Sequence, residues 1–187
     1  MKTAISTIAL VALAGVASAQ TASISYDFGG ADSGALDENT TYTVVVSIAF
    51  EGGQDNLLAI DYSTAMASMG SVAGIGNIVV DGDYLAQGGT VTGDATGIEV
   101  NVLGPTNLFV PAAGSPQELF SFELTTGSAG DIAVSHGDEL ITTFNAQFAT
   151  SDHSLVDSDA TWTVVPTPGA LAVAGLGGLV AARRRRA

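Results

Sequence analysis

The sequence predicts an all-β fold, a single β-sandwich of about nine strands, and three observations lead to this prediction. Apolar and polar residues alternate with the period of two that turns one face of a strand toward a core and the other toward water. Clusters of Gly, Asp, Asn and Pro separate these segments at short intervals. Helical patterns are scarce, and only residues 64–69 are expected to form a turn or two of helix before Gly70.

Residues 1–19 are expected to be a secretion signal. Lys2 supplies the positive start, and residues 5–16 form an apolar stretch shorter than the roughly 20 residues that span a bilayer. Ala17 and Ala19 then form the small-x-small site that signal peptidase cleaves. Signal peptidase is therefore an expected partner, with Gln20 as the first mature residue. An uncleaved N-terminal anchor is the alternative.

The predicted sandwich domain covers residues 20–164. Its clearest strand is 41–50, in which Tyr42, Val44, Val46, Ile48 and Phe50 share one face. The other alternating segments, some of them short, are 22–28, 57–63, 77–80, 97–103, 118–125, 131–135, 140–149 and 161–165. Trp162 shares a face with Val164 in the last of these segments, and we expect it to pack in the core.

Residues 165–187 form a tail with three parts. Pro166, Thr167 and Pro168 form a Pro-x-Pro motif, and residues 169–182 carry no polar side chain. The chain then reaches four arginines, Arg183, Arg184, Arg185 and Arg186. The apolar part makes about 21 Å of helix, short for a hydrocarbon core of about 30 Å, and the arginines hold its end in the cytoplasm. We expect a short transmembrane helix that acts as a temporary anchor.

With these three parts the tail resembles the C-terminal sorting domain of the PEP-CTERM family, the substrates of exosortase-type transpeptidases. Thr167 stands where that family most often has Glu, which bears on the exosortase subtype. The resemblance implies a Gram-negative host, an exosortase-type partner, transient residence in the inner membrane, and delivery to the cell surface or extracellular matrix. An ordinary C-terminal membrane anchor is the alternative.

The domain also resembles the cohesin-like and carbohydrate-binding β-sandwich modules of envelope proteins. The shared features are an extended first strand at 24–28, a long second strand at 41–50, Leu-Ala-Ile-Asp-Tyr at 58–62 and Phe-x-Phe-x-Leu at 120–124. This resemblance implies a module that binds polysaccharide or a partner protein.

The charges of the chain are separated. All five basic residues lie at the two ends, whereas all nineteen acidic residues lie between Asp27 and Asp159. The domain therefore has no Lys or Arg, and its carboxylates must be solvated, hydrogen-bonded or bound to cations. Nucleic acid is excluded as a partner because nothing neutralises its phosphates. Cysteine is absent, so an exported domain would have to be stable without disulfides.

Calcium is the one metal that the carboxylates favour, because it takes six to eight oxygen ligands from acidic loops. Asp152, Asp157 and Asp159 are the candidate ligands, and Asp81 with Asp83 forms a second, looser cluster. Neither cluster matches an EF-hand. The sequence favours the other explanation of these carboxylates, a solvated acidic surface adapted to a salty habitat.

No catalytic or cofactor-binding constellation emerges from the sequence. There is no cysteine and no G-x-S-x-G motif. His136 and His153 occur in polar, turn-like contexts and are expected in surface loops. Glu118 and Glu123 are five residues apart on one predicted strand, which places them on opposite faces and argues against an acid pair. The sequence thus predicts a non-enzymatic cell-surface or matrix protein. A polysaccharide- or protein-binding module is the first alternative, and a secreted hydrolase the second.

The mature protein is expected to begin at Gln20 and to lack the four C-terminal arginines, because both ends carry processing signals. Intact-mass analysis of the protein purified from its host measures both ends at once. A mass that includes Met1 contradicts cleavage of the signal, and a mass that includes Arg186 contradicts removal of the tail.

Overall fold

A computed structural model describes residues 20–50, 56–68, 70–86, 91–105, 116–137, 141–144, 150–156, 159–167 and 169. The predicted signal at 1–19 lies outside these residues, as does the tail apart from 165–167 and Gly169. Within the described part of the chain, no helix is long and apolar enough to cross a membrane. The processing signals and the sorting helix therefore stay predictions.

The described residues form thirteen β-strands. In chain order these are β1 Gln20–Asp27, β2 Leu36–Asp37, β3 Thr41–Phe50, β4 Asn56–Ser68, β5 Val72–Val80, β6 Tyr84–Ala86, β7 Val91–Asp94, β8 Gly97–Pro105, β9 Gln117–Thr126, β10 Gly130–His136, β11 Ile141–Phe144, β12 Thr150–Leu155 and β13 Ala160–Val165. The all-β prediction is confirmed. Four strands add to the nine that were expected: β2, β6, β7 and β12. β2, β6 and β7 have two to four residues, which are too few to show an alternation, and β12 is polar at most of its positions.

Two curled sheets face each other in a sandwich. One sheet has the order β12–β1–β3–β9–β5. The other has the order β2–β13–β10–β4–β8, and both β6 and β7 pair with β8. β11 pairs with both β4 and β12 and so joins the sheets. The β1–β12 and β13–β2 pairs are parallel, and the other strand pairs are antiparallel.

The core lies between the two sheets. The face of β3 predicted to be apolar is buried at Val44, Val46 and Ile48, which are each 0% exposed. Trp162, as expected, is also in the core. Its ring meets the rings of Tyr26 and Phe28 edge-on, each at a centroid distance of 5.1 Å, which is the packing that aromatic quadrupoles favour.

The expected helical turn at residues 64–69 is wrong for the residues that the structure describes. Residues 64–68 continue β4, which is thirteen residues long. This stretch pairs with β10 along its whole length, and Thr64 and Ala65 also pair with β8. Pairing on both sides outweighs a local preference worth only tenths of a kcal/mol per residue, roughly, in the helix propensity scale.

A bulge in β9 overturns the placement of Glu118 and Glu123 on opposite faces. The register shifts between Val46 and Ser47, so Ser47 pairs with Glu118 while Thr43 pairs with Glu123. Because Ser47 and Thr43 share one face of β3, both glutamates lie on that face. Four residues along a strand span about 13 Å, which is longer than the about 5–9.5 Å between the carboxylates of a glycosidase.

Candidate functional site

The outer face of the sheet formed by β13, β10, β4, β8 and β7 is exposed and carries mostly small side chains, and we call it the open face. Its members are Ser63, Ala65, Ala67, Thr92, Asp94, Gly97, Glu99, Asp131, Ala133, Ser135 and Thr161. Cross-strand pairing aligns most of them in three rows: Thr161–Ala133–Ala67, Ser135–Ala65–Gly97–Asp94 and Ser63–Glu99–Thr92. All are exposed except Gly97, which is half-buried.

Alternation along β4 produces this face. Tyr62 and Met66 point into the core, whereas Ser63, Ala65 and Ala67 point outward. Alanine, serine and threonine predominate across the five strands, so the surface has little relief apart from its three carboxylates. No positive charge lies on it. A broad exposed sheet surface of this kind fits a matching protein surface better than it encloses a small molecule.

A groove of about 300 Å³ lies at one end of the open face, between β4 and the β7–β8 hairpin. Its lining includes Ser63, Thr92, Asp94 and Glu99. The hairpin approaches β4 closely because Gly97 has no side chain. A Cβ at that position would lie 2.0 Å from the backbone oxygen of Thr64.

Asp94 is held in place by the turn that follows it. Its Oδ1 accepts hydrogen bonds from the Thr96 hydroxyl at 2.5 Å and from the Thr96 backbone N–H at 2.7 Å. The hydroxyl bond is the larger cause, and together these bonds lower the pKa of the Asp94 carboxyl below its usual value. The carboxylate therefore remains charged at any neutral or mildly acidic pH.

A chain of polar side chains runs beneath the open face. The Tyr26 hydroxyl lies 3.0 Å from the Tyr62 hydroxyl and 2.7 Å from Nε2 of His136. The backbone N–H of His136 donates to Oδ1 of Asp159 at 3.1 Å, and Nδ1 of the same histidine lies 3.7 Å from that oxygen. Nδ1 is buried and has no hydrogen-bond partner.

Both histidines lie in strands with buried side chains, so the expectation of surface loops is wrong. The His136 side chain is 5% exposed, at the end of β10. His153 lies in β12 and is 6% exposed, with Nε2 2.7 Å from the Thr143 hydroxyl. A signal for His136 was present in the sequence, because the apolar alternation of Ile132 and Val134 continues onto it.

The environment of His136 favours the neutral ring. Burial lowers the pKa of its imidazole below the usual value, and the nearby Asp159 carboxylate offsets part of this effect. Its ring contacts a phenol and a carboxylate, not the serine or cysteine of a hydrolytic triad. The chain of polar groups connects β1 in one sheet to β4 and β10 in the other.

The predicted calcium ligands are only partly described. Asp152 accepts a hydrogen bond from the Thr142 hydroxyl at 3.0 Å, and Asp159 accepts from β10, as above. Asp157 lies outside the described residues. Among the residues that the structure does describe, no group of three or more His, Cys, Asp or Glu is placed to hold a metal ion. The calcium site remains a prediction.

The second acidic cluster has a structural role. Oδ1 of Asp81 accepts the backbone N–H of Asp83 at 2.9 Å, in the turn between β5 and β6. Burial, followed by the charges of Asp83 and Asp81, raises the pKa of the Tyr84 hydroxyl to about 12. That hydroxyl donates to Oε1 of Gln117 at 2.6 Å.

Comparison with solved structures identifies the fold. A cohesin module from a family 33 glycoside hydrolase of Clostridium perfringens matches with a TM-score of 0.51 and 9% identity, over 79% of this chain and 96% of that chain. A type I cohesin–dockerin complex from Clostridium thermocellum matches with a TM-score of 0.50 and 12% identity, over 78% and 99%. No family model matches the sequence, and no curated protein matches it. The likeness is one of fold.

The contribution of His136 to the free energy of unfolding should fall as the pH is lowered from about 7.5 to about 5.5. His136 has a lower pKa in the folded chain than in the unfolded chain, so protons bind preferentially to the unfolded chain below about pH 6.5. Denaturant unfolding at both pH values, for the wild type and for His136→Gln, measures this contribution. The carboxylates common to both proteins cancel in the comparison. Identical pH dependence in the two proteins contradicts the assignment.

Proposed function

We propose that this chain is an exported, non-enzymatic surface or matrix protein whose sandwich binds a partner protein through the open face. The observation that carries the proposal is the open face itself, an exposed five-strand surface on which small side chains predominate. Such side chains have little rotamer freedom to lose, so a partner can cover Ala65, Ala67 and Ala133 at a low cost in side-chain entropy.

The charge of the domain supports a partner with a basic surface. Three carboxylates, those of Asp94, Glu99 and Asp131, lie on the open face, and the domain has no Lys or Arg to neutralise them. Opposite charge on the partner would speed the encounter and exclude acidic competitors. The domain's own copies repel one another for the same reason.

The fold likeness supports the same reading by analogy. One of the matching structures is a cohesin in complex with a dockerin, and its partner is therefore a protein. A shared fold does not fix function, so the likeness adds weight only beside the geometry of the open face.

Polysaccharide binding has less support, because sugar sites stack their ligands on exposed aromatic rings. Trp162, Tyr62 and Tyr84 are buried in the core, and Tyr26 and Tyr42 are half-buried. No Trp or Tyr in the described part of the chain has an exposed ring to serve as a platform.

Delivery to the surface follows from the two ends of the chain. The signal at 1–19 would start export, and the tail at 165–187 would hold the protein in the inner membrane until an exosortase-type enzyme acts. The domain would then be displayed on the cell surface or released into the matrix. The resemblance of Pro166, Pro168 and the arginine cluster to a sorting signal supports this route.

Arginine substitutions on the open face should abolish partner binding. The double variant Ala65→Arg/Ala133→Arg places two bulky cations on the open face. The control variant Thr43→Arg places one on the exposed outer side of β3, in the other sheet. The immobilised wild type and the immobilised Thr43→Arg variant are expected to retain the same exported host protein, which should have a basic surface. The immobilised double variant is expected to retain no such protein.

Circular dichroism provides the control that each variant is folded. Retention of the same protein by the folded double variant contradicts the assignment of the open face. Failure of the wild type to retain any exported protein contradicts the proposed function as a whole.

A further inference from the structure

We propose that the groove beside the β7–β8 hairpin is the anchor point for an arginine side chain of the partner. The inference rests on the proposed function, since it names the chemistry by which the open face recognises its partner. It is argued from the shape of the groove, from the groups that line it and from the charge of the domain.

The groove is continuous with the open face. Glu99 stands in one row between Ser63 of β4 and Thr92 of β7, and Asp94 ends the neighbouring row. A partner that covers the open face therefore also contacts the groove. Its volume of about 300 Å³ is at the lower end of the about 300–1,000 Å³ of small-molecule sites, which suits one long side chain.

The polar part of the lining consists of two carboxylates and several hydroxyl groups, and Gly93, Gly97 and Ile98 complete the lining. Glu99 and Asp94 contribute carboxylates, and hydroxyl groups come from Ser63, Thr92 and Thr96. The Thr96 hydroxyl donates a hydrogen bond to Asp94. Its oxygen can still accept hydrogen bonds from a ligand. A ligand for such a lining must be a cation that donates several hydrogen bonds.

A guanidinium group matches this lining better than an ammonium group. It presents five N–H donors in a planar fork that can pair with two oxygens of one carboxylate, whereas a lysine presents three donors around a point charge. Ammonium is also more strongly hydrated, so it gains less from leaving water at an exposed site.

The groove is built before any ligand arrives. The turn at Asp94 is fixed by two hydrogen bonds from Thr96. Gly93 packs directly on β5, where a Cβ would lie 2.8 Å from Cδ1 of Ile78. The hairpin is thus held between β5 on one side and β4 on the other, and little ordering is left for the partner to impose.

The test uses the 15N-labelled protein, purified as its host exports it, and three blocked pentapeptides. These are Gly-Gly-Arg-Gly-Gly, the same peptide with lysine, and the same peptide with citrulline, which replaces the guanidinium by a neutral urea of the same shape. In amide NMR titrations the arginine peptide should give saturable shifts confined to residues 63–64 and 92–99. The lysine peptide should bind more weakly, and the citrulline peptide should give no saturable shifts.

Glu99→Gln should weaken the arginine peptide about threefold to tenfold, because one charge-assisted pair at an exposed site becomes neutral. Glu118→Gln, an exposed glutamate on the other sheet, serves as the matched control and should leave the affinity unchanged. Shifts spread over the whole acidic surface, or equal responses to arginine and citrulline, overturn the proposal.

The same variants separate this inference from the proposed function. If Glu99→Gln retains the partner as well as the wild type does, but Ala65→Arg/Ala133→Arg does not retain it, the role of the groove is contradicted. The role of the open face in binding is then still supported. Loss of retention in Glu99→Gln together with normal retention in Glu118→Gln supports both.

Discussion

Nineteen carboxylates share a domain that contains no lysine and no arginine, and the rest of the structure adapts to this constraint. The carboxylates bond to neutral donors where another chain would form ion pairs. Asp27, Asp32 and Asp81 each accept a backbone N–H two residues onward, at 2.8–2.9 Å. Glu38 accepts the backbone N–H of Ala129. The three aspartate bonds are local and fix turns next to strands, so these acidic residues help to set the strand boundaries.

The same constraint shapes the interior and the surface. Several buried polar groups pair through phenols, hydroxyls and imidazole, as in the line from Tyr62 through Tyr26 to His136. Such pairs avoid the desolvation cost of a buried ion pair. On the outside, the open face offers hydroxyls, methyl groups and unneutralised carboxylates. Under the proposed function, a surface of this composition selects a basic protein partner by charge, and the groove at Asp94 and Glu99 concentrates that selection at one point.

Local patterns predicted much of this fold, and non-local pairing decided the remainder. The bounds of β3, its buried face and the core position of Trp162 follow from alternation alone. The helical turn at 64–69 was wrong because β4 is held by strands distant in sequence, and the bulge that brings Glu118 and Glu123 onto one face depends on the register with β3. Predicting the open face requires the alternation in β4 and also the knowledge that β8 and β10 are its neighbours. No local sequence pattern specifies these neighbours.

The melting temperature as a function of sodium chloride tests the central claim most directly. Carboxylates without internal cations repel one another, and salt shortens the Debye length from about 30 Å at 0.01 M to about 3 Å at 1 M. The account therefore predicts a melting temperature at neutral pH that rises steadily over this range, as repulsion in the compact state is screened. A melting temperature that stays constant or falls over the same range would contradict it.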